Sequence, residues 1–429
     1  MTAIVETRSR GAHSVLVIGG GVAGLAAAWA ARRAGKAVTL VDRGAGASVL
    51  GGGAVDDEPW ERRWRRTAGV PSGESALARA HVEPPPDPLP AEVEAFVRDL
   101  GLWTMPEGRA PRLVTLAGRV RLARAHDAAL LDLGAIPGAR VLLPRAPRAA
   151  WDADALAAAL NEDPLAQALS LRFAASDTAV LRHDDERRIG DADLAARHDQ
   201  PARVEWLAER LREAAARAGV DRVAVLLGPW LGAAAPRAAE VAERAGLPVG
   251  EALLGVGGPA GLRFAAARGR MLELLGVEVV RARAAAVVRH GERMRVELEA
   301  GSALSADVVI VAVGGVAGGG IAYAPPELTA GSDFPPNAAA PFQLSLRTPL
   351  SLGVRGEPAG VISSLHGPDL DVTGWPDHDE SGVLEAIGVR SKNGAPVSPG
   401  IHVAGDVVAD RPRTLLEAAA SGIAAGREA

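Results

Sequence analysis

Apolar residues run continuously, rather than in alternation, along the N-terminal part of this chain. Residues 14–18 predict a buried parallel strand, residues 22–34 predict a helix, and residues 37–41 predict a second strand. Strands buried on both faces read as continuous apolar runs, and a strand, a helix and a strand in this order form a β-α-β unit. The pattern therefore predicts the start of an α/β domain.

The remainder of the chain divides into a mostly helical middle and a return to strands after residue 250. A hairpin-like pair is predicted around His290 and Val296. The further predicted helices are residues 91–100, 152–160, 204–218, 261–275 and 414–427, and the further predicted strands are residues 222–227, 277–281, 307–313 and 401–406.

Glycines interrupt the first apolar run where the predicted strand becomes the helix. In Gly19-x-Gly21-x-x-Gly24 the first glycine permits a tight turn, the second lets the backbone approach a pyrophosphate, and the third permits close packing of helix and strand. Val22 and Ala23 complete the turn, at the helix end whose dipole favours a phosphate. The context of strand, turn and helix predicts a dinucleotide-binding motif.

An acidic residue at the end of the second predicted strand extends this motif. Asp42 lies 18 residues after Gly24, where a carboxylate can accept both ribose hydroxyls of an adenosine. The next residue, Arg43, is a candidate for a 2′-phosphate. FAD and NAD both present an adenosine ribose, so the N-terminal motif alone leaves both cofactors open.

Two later segments favour FAD. Residues 401–406, IHVAGD, resemble the second flavin motif of FAD-dependent oxidoreductases, in which the aspartate hydrogen-bonds the ribityl chain, and residues 307–315, DVVIVAVGG, resemble the strand and glycine turn ahead of the flavin in that group. The resemblance implies that Gly314, Gly315, Gly405 and Asp406 surround the flavin. FMN is less favoured because the motif that includes Asp42 requires an adenosine.

Length and motif order predict a Rossmann-like FAD-binding domain with a parallel sheet and flanking helices, interrupted by an inserted α+β domain. Residues 1–90, 251–325 and 383–429 are assigned to the FAD-binding domain. Residues 91–250 and 326–382 are assigned to an inserted domain for substrate, cap or partner contacts.

Composition narrows the possible chemistry. A net charge of -5 among 429 residues gives no indication of nucleic-acid binding, and no segment predicts a transmembrane span. The chain has no cysteine, which excludes disulfides, a thiol nucleophile and a cysteine-ligated iron–sulfur cluster of its own. No metal site is predicted. The absence of cysteine fits a cytoplasmic protein, and electrons that leave it require a partner or a diffusible acceptor.

A narrower resemblance runs through most of the chain, in the segments VLVIGGGVAGLAAAWAARRAGKAVTLVDRG, GASVLGGGAVDD, IPGARVLLPRAPRAAWDADALAAAL, GLPVGEALLGVGGPAGLRFAAARGRMLELLGVEVV and GGVAGGGI. These segments resemble the B-type flavoprotein of anaerobic glycerol-3-phosphate dehydrogenase. Members of that family are flavoproteins that act beside a catalytic flavin subunit and an iron–sulfur subunit that anchors the complex to the membrane. The resemblance implies an electron-relaying subunit, peripheral to the inner membrane through a partner.

Two segments depart from that family. It carries a Ser-Gly-Ser-containing loop where this chain has Gly51-Gly52-Gly53, which we assign to the flavin half of the cofactor site. Its C-terminus is glycine-rich with a cysteine, whereas PRTLLEAAASGIAAG is typical of general FAD oxidoreductases. A stand-alone FAD-dependent dehydrogenase or oxidase of another small molecule, and a non-catalytic flavin-fold scaffold, therefore stay open as alternatives.

Catalytic residues are not marked by any motif. His366 is the candidate acid–base or anion-contacting residue, since imidazole titrates near neutral pH, although a solvated loop histidine is the commoner case. Arg347, Arg355 and Arg390 are weaker candidates for binding a phosphate or carboxylate. Hydride transfer to a flavin needs little beyond a positioned substrate and one base, because the cofactor carries the difficult chemistry.

Overall fold

The computed structural model describes residues 13–59, 87–315, 317–324, 388–389, 391 and 394–429, together with the backbone of three short strands at 4–5, 343–347 and 365–366. For residues 322–324, as for those three strands, only the backbone is described. The chain divides into two compact units, Met1–Ala47 with Leu272–Ala429, and Ser48–Met271.

Every predicted helix and strand has a counterpart in the structure, which adds further elements. The helices are Val22–Arg33, Ala91–Leu100, Ala153–Glu162, Pro164–Ala168, Asp191–Arg197, Pro201–Ala218, Ala238–Ala245, Pro259–Leu274 and Leu415–Glu428. The strands are β1 (Ile4–Val5), β2 (Ser14–Ile18), β3 (Ala37–Asp42), β4 (Ala54–Val55), β5 (Trp103–Thr104), β6 (Arg112–Val114), β7 (Val120–Leu122), β8 (Ala125–Asp127), β9 (Arg140–Pro144), β10 (Arg172–Ser176), β11 (Val223–Leu227), β12 (Val249–Glu251), β13 (Glu278–Arg281), β14 (Ala284–His290), β15 (Arg293–Leu298), β16 (Ala303–Ala306), β17 (Val308–Val311), β18 (Ala322–Ala324), β19 (Gln343–Arg347), β20 (Leu365–His366) and β21 (Ile401–Val403).

The first unit is built on a five-stranded parallel sheet. Its strand order is β13-β3-β2-β17-β21, and every neighbouring pair is parallel. Residues 15–18 and 308–311 are buried, as their uninterrupted apolar sequences predict for central strands. The α/β class with a Rossmann-like parallel sheet is therefore confirmed, and the predicted hairpin is the antiparallel pair β14 and β15.

Small residues let the first and last helices of this unit approach closely. A Cβ atom added at Gly422 would lie 2.2 Å from the carbonyl oxygen of Ala23, and one added at Gly426 would lie 2.3 Å from that of Ala27. The two backbones are thus in direct contact, which any larger residue at either glycine would prevent. The C-terminal helix is in this way fixed against the helix that follows β2.

A polar cluster ties β2 to β17 at the amino edge of the same sheet. The backbone N–H and the hydroxyl of Ser14 both donate to Asp307 Oδ2 at 2.7 Å, and Arg293 donates to Asp307 Oδ1 at 3.1 Å. Burial acts in the opposite direction, but these hydrogen bonds and the charge of Arg293 hold the pKa of Asp307 below its usual value. The cluster therefore stabilises the pairing of the two central strands.

The second unit contains a parallel sheet of its own. Its order is β10-β9-β11-β12 with all pairs parallel, a feature that the apolar pattern of the sequence does not predict. Helices Ala153–Glu162 and Pro201–Ala218 contribute apolar faces to the core around it. The small antiparallel sheet β4-β8-β5 and the hairpin β6-β7 belong to the same unit.

The boundaries of the units differ from the predicted domain limits near residues 90 and 250. β4 pairs with β8, which assigns residues 48–59 to the second unit. The helix Pro259–Leu274 falls mostly in the second unit, because Arg263 is held there by buried carboxylates. Apolar periodicity locates helices and strands but carries no information on which sheet a short strand joins, so the limits of the units and the predicted domain limits need not coincide, and the domain assignment stays a prediction.

No helix among the described residues is both long enough and apolar enough to cross a bilayer. The described part of the chain likewise contains no group of three or more metal-ligating side chains placed around a common point.

Candidate functional site

The carboxyl edge of the five-stranded sheet carries the glycine turn predicted from the sequence. Gly19 follows β2 with a φ of 112°, a left-handed conformation that favours glycine, and an added Cβ would lie 2.1 Å from the carbonyl oxygen of Ala312. Gly24 packs against the turn itself, since an added Cβ would lie 1.8 Å from the carbonyl oxygen of Gly19. Both positions therefore require glycine for steric reasons.

Gly21 is the N-cap of the helix Val22–Arg33, and it offers no side chain to the helix end. The first turn of this helix also contains no acidic residue. A helix N-terminus that lacks a side-chain cap and an acidic group presents backbone donors and a positive dipole end. Val22 and Ala23, which follow Gly21, are buried in that first turn.

Asp42 is the last residue of β3, at the same edge. Its side chain is 1% exposed, and its Oδ1 accepts a hydrogen bond from Arg281 at 2.8 Å. Arg281 lies directly opposite Asp42 in the parallel register of β13, and its side chain is 63% exposed. The sequence did not mark Arg281, because the pairing of β13 with β3 is a property of strand order. Arg43 is exposed beside the pair.

Two further glycine turns lie at this edge, after β17 and β21. Gly314 has a φ of 82°, and the backbone N–H of Gly320 donates to the carbonyl oxygen of Gly315 at 3.0 Å. A Cβ atom added at Gly315 would lie 2.9 Å from the Cβ of Asp406, so the two turns are adjacent. The structure thus places Gly314, Gly315, Gly405 and Asp406 together.

Asp406 is partly enclosed in the turn that follows β21. The preceding N–H, that of Gly405, donates to the hydroxyl of Ser421 in the C-terminal helix at 3.1 Å, which fixes the turn. Burial raises the pKa of the Asp406 carboxyl, while the charge of Arg413 opposes the shift. A carboxyl group in this environment is suited to hydrogen bonding with a hydroxyl-bearing ligand.

The strand order explains why these segments meet. From β2 the chain proceeds to β3 and β13 on one side, whereas β17 and β21 lie on the other side. β2 and β17 are therefore the neighbours at which the winding direction reverses, and open parallel sheets bind ligands in the crevice at that point of their carboxyl edge.

Other predicted residues lie elsewhere. Gly51, Gly52 and Gly53 belong to the second unit, where an added Cβ at Gly52 would lie 1.9 Å from the carbonyl oxygen of Leu254. Their predicted contact with a cofactor stays a prediction. His366 is in β20 and its side chain lies outside the described residues, as does that of Arg347 in β19. Arg355 and Arg390 are also outside the described residues.

Comparison with known families agrees with this geometry. Residues 17–63 match the NAD(P)-binding Rossmann-like domain. The matched segment contains the glycine turn, the helix that follows it and Asp42, so this match and the parallel sheet both support a Rossmann-like fold for the first unit.

Similarity to solved structures is distant. The chain resembles 3-ketosteroid Δ1-dehydrogenase from Sterolibacterium denitrificans (15% identity, 71% of this chain and 48% of that chain, TM-score 0.28), CtdE in complex with FAD (10%, 71% and 38%, TM-score 0.23) and L-amino acid deaminase from Proteus myxofaciens (14%, 74% and 48%, TM-score 0.25). The chain spans less than half the length of each of these proteins. No curated protein matches the chain.

Proposed function

We propose that this chain is an FAD-dependent oxidoreductase whose first unit holds the cofactor. The observation that carries the proposal is the shared carboxyl edge of one parallel sheet, where the glycine turn after β2, Asp42 after β3 and the adjacent turns containing Gly315 and Asp406 all lie. A dinucleotide is long enough to use several such segments, whereas a mononucleotide would leave part of them unused.

The residues at the adenosine end fit the cofactor. Gly19 and Gly24 shape a tight backbone cradle in which any Cβ atom would collide with a carbonyl oxygen, and the helix N-terminus beside it, which has no side-chain cap, suits a pyrophosphate. Asp42 would accept the ribose hydroxyls, since a carboxylate offers about four acceptor sites and its partner Arg281 is largely exposed and can turn to solvent.

The residues at the flavin end fit as well. Asp406 would hold the ribityl hydroxyls, and the glycine backbone at Gly314 and Gly315 would allow close approach of the ring system. When bound, a flavin supplies the hydride and electron chemistry that no side chain provides. The protein would bind and orient the flavin, and the Asp406 carboxyl would hydrogen-bond to the ribityl chain.

Within this class we further propose that the chain is the B-type flavoprotein of a complex similar to anaerobic glycerol-3-phosphate dehydrogenase, relaying electrons toward quinone. The support is the sequence resemblance over most of the chain. Because the chain has no cysteine to ligate an iron–sulfur cluster, a partner or a diffusible acceptor would receive the electrons. Such a chain would work in the cytoplasm, with a catalytic flavin subunit and an iron–sulfur subunit that reaches the membrane.

The first experiment identifies the cofactor. The visible spectrum of the purified protein should show a flavin, and chromatography of the released cofactor should give FAD. Release of FMN would contradict the role given to Asp42, and a colourless protein that does not bind added FAD would favour the scaffold alternative.

A glycine substitution tests where the cofactor binds. Gly24→Ala puts a methyl group against the carbonyl oxygen of Gly19, so we expect FAD affinity to fall about tenfold or more. Gly269→Ala is the matched control, because Gly269 is also a helical glycine and an added Cβ there meets no atom within 4 Å. Equal FAD retention in the two variants would contradict the proposed cradle.

A carboxylate substitution tests the flavin end. Asp406→Ala should weaken FAD retention by about tenfold, because the ribityl hydroxyl loses its carboxyl partner. Asp406→Asn keeps one acceptor oxygen and should weaken FAD retention less. Equilibrium dialysis with FAD measures both. If Asp406→Ala retains FAD like the wild type, the ribityl assignment is wrong.

Anaerobic reduction tests the subunit role. A relay subunit should not bleach with glycerol 3-phosphate alone and should bleach when the catalytic flavin subunit is added. Bleaching of the isolated chain by another small substrate would instead support a stand-alone dehydrogenase or oxidase.

A further inference from the structure

The parallel sheet of the second unit, like that of the first, contains a pair of neighbouring strands at which the winding direction reverses. This sheet has the order β10-β9-β11-β12, so the chain leaves β9 toward β10 on one side and leaves β11 toward β12 on the other. The neighbouring strands β9 and β11 are therefore the point at which the winding direction reverses. In open parallel sheets the crevice at the carboxyl edge of such a pair is the usual ligand site.

A cleft lies at this point of the sheet. Its cavity volume is about 180 Å³, which is below that of drug-sized pockets and limits the ligand to a small molecule. One wall is residues 148–151, which follow β9, and another is Pro229 and Trp230, which follow β11. Residues 187–191, in the connection that leaves β10, form a third wall.

The aromatic part of the cleft is held rigidly. Trp151 and Trp230 meet edge to face with ring centroids 5.5 Å apart, and the Trp230 indole lies over Gly228, where an added Cβ would come within 2.4 Å of the ring. Trp230 Nε1 donates to Asp191 Oδ1 at 2.8 Å. Such positioning before any ligand arrives reduces the entropy that binding must overcome.

The buried cation of the cleft is fully engaged. The side chain of Arg148 is 7% exposed, its guanidinium lies 5.4 Å from the centroid of the Trp230 ring, and it donates to Asp191 Oδ1 and to the carbonyl oxygens of Glu186 and Ile189. Arg148 therefore neutralises Asp191, which is the one carboxylate among the described residues that line the cleft.

Two more arginines line the rim. Arg187 makes only an exposed ion pair with Asp184, at 3.3 Å, and pairs of this kind contribute little. The guanidinium of Arg188 has no hydrogen-bond or ion-pair partner among the described residues. After the pairing of Arg148 with Asp191, the cleft keeps an excess of positive charge beside a mostly apolar lining.

We propose that this cleft binds a small organic anion, with Arg188 contacting a carboxylate or phosphate group and the apolar lining, which includes Leu116, Ile189 and Pro229, contacting an apolar body. Guanidinium groups bind both kinds of anion bidentately, and aromatic and aliphatic walls with a few polar groups are typical of small-molecule sites. The inference goes beyond the proposed flavin function and does not depend on it.

Calorimetric titration of the full chain with three probes of similar shape tests the proposal. Benzoate and phenyl phosphate carry the two candidate anions on one apolar ring, and benzyl alcohol is the neutral counterpart. We expect at least one anion to bind, and to bind about tenfold or more tightly than benzyl alcohol. Binding of only one anion identifies the charged group, whereas equal binding of benzyl alcohol or no binding of either anion overturns the proposal.

Charge-removing variants locate the binding. Arg188→Gln should weaken anion binding about tenfold or more, and because Arg188 is exposed the fold should tolerate the change. Arg140→Gln is the matched control, since Arg140 is an exposed arginine at the opposite, amino end of β9 and should alter affinity by less than about twofold. Unchanged binding in Arg188→Gln overturns the proposal. Gly24→Ala, which is designed to impair the proposed FAD site, should bind the anion normally, so the two functions can fail separately.

Discussion

Asp42 in the first unit and Glu251 in the second are close counterparts. Each is the last residue of a strand in a parallel sheet, each side chain is at most 1% exposed, and each accepts a hydrogen bond from an arginine at 2.8 Å. Their partners differ: the Arg281 side chain is 63% exposed, whereas that of Arg263 is 1% exposed.

Arg263 is committed to the interior of the second unit. It donates to Glu251, to Asp127 at 2.9 Å and to the carbonyl oxygen of Gly232 at 2.6 Å, and Glu251 also accepts from the backbone N–H of Leu231. Every bond holds one segment of the unit against another. A buried and fully bonded network of this kind stabilises a fold but has no capacity left for a ligand.

Arg281, unlike Arg263, pairs with its carboxylate from an exposed position. It lies on the edge strand β13, and its largely exposed side chain can turn to solvent at small cost. Asp42 is therefore buried yet has a replaceable partner, which suits a residue that accepts hydroxyl groups from a ligand. Under the proposed function, exposure of the arginine partner, rather than burial of the acid, distinguishes the proposed ligand-binding carboxylate Asp42 from the structural carboxylate Glu251.

The largest expected effect comes from breaking the buried network. Arg263→Met leaves the Asp127 and Glu251 carboxylates buried without their cation, so we expect the free energy of unfolding of the second unit to fall by about 3–5 kcal/mol. Urea denaturation combined with hydrogen exchange of the amides in β11 and β12 measures it. A loss below about 1 kcal/mol would contradict the structural role of the network.

An intermediate effect should appear in the pH dependence of stability. Burial raises the pKa of Glu251 to about 7, the charge of Arg263 opposes the shift, and the charge of Asp127 adds to it. A carboxyl whose pKa is raised on folding contributes stability that is fully present below its unfolded pKa, near 4.5, and is lost as pH rises through about 7.

We therefore expect the wild type to lose about 1–3 kcal/mol of unfolding free energy between about pH 5 and about pH 8 in excess of Glu251→Gln, in which this group cannot ionise. Urea denaturation at both pH values gives the difference. Glu205→Gln, on the exposed face of the helix Pro201–Ala218, is the control and should follow the wild type. Identical pH profiles for the wild type and Glu251→Gln would show that Glu251 stays ionised throughout.

Sequence patterns located the glycine turn and Asp42 of the candidate site in the first unit, and they did not indicate the cleft in the second unit. The positions of Gly19, Gly24 and Asp42 are local, because a strand, a tight turn and a helix impose them within one β-α-β unit. Arg263 and Arg188 carry no such signal, since nearly all basic residues of this chain are arginines and nothing local distinguishes a buried arginine from a solvated one.

Most of the features that the sequence did not predict depend on the order of strands in the sheets. The parallel register that sets Arg281 beside Asp42, and the reversal between β9 and β11, both join segments that are far apart in the chain. Apolar periodicity reports which face of an element is buried, but it does not report which strands become neighbours. The second parallel sheet and its cleft were therefore accessible only from the structure.

The smallest expected effect on stability is that of Arg281→Met, and it sharpens the comparison most directly. Arg281→Met is the same change as Arg263→Met, and it also leaves a buried carboxylate, Asp42, without its arginine. The Arg281 side chain is exposed, so water screens its attraction to Asp42, and its loss should lower the free energy of unfolding by less than about 1 kcal/mol. Urea denaturation of the first unit measures the change. FAD retention should fall by less than about threefold, because Asp42 keeps its acceptor oxygens.

Asp42→Ala completes the test, because it removes the acceptor and not the cation. If Asp42 accepts the ribose hydroxyls, FAD retention should fall about tenfold or more in this variant while Arg281→Met retains the cofactor. Equal loss of cofactor in both variants would mean that the ion pair acts as one structural unit, as the network around Arg263 does. In that case the exposed position of Arg281 would have no functional meaning, and Asp42 would belong with Glu251 among the structural carboxylates.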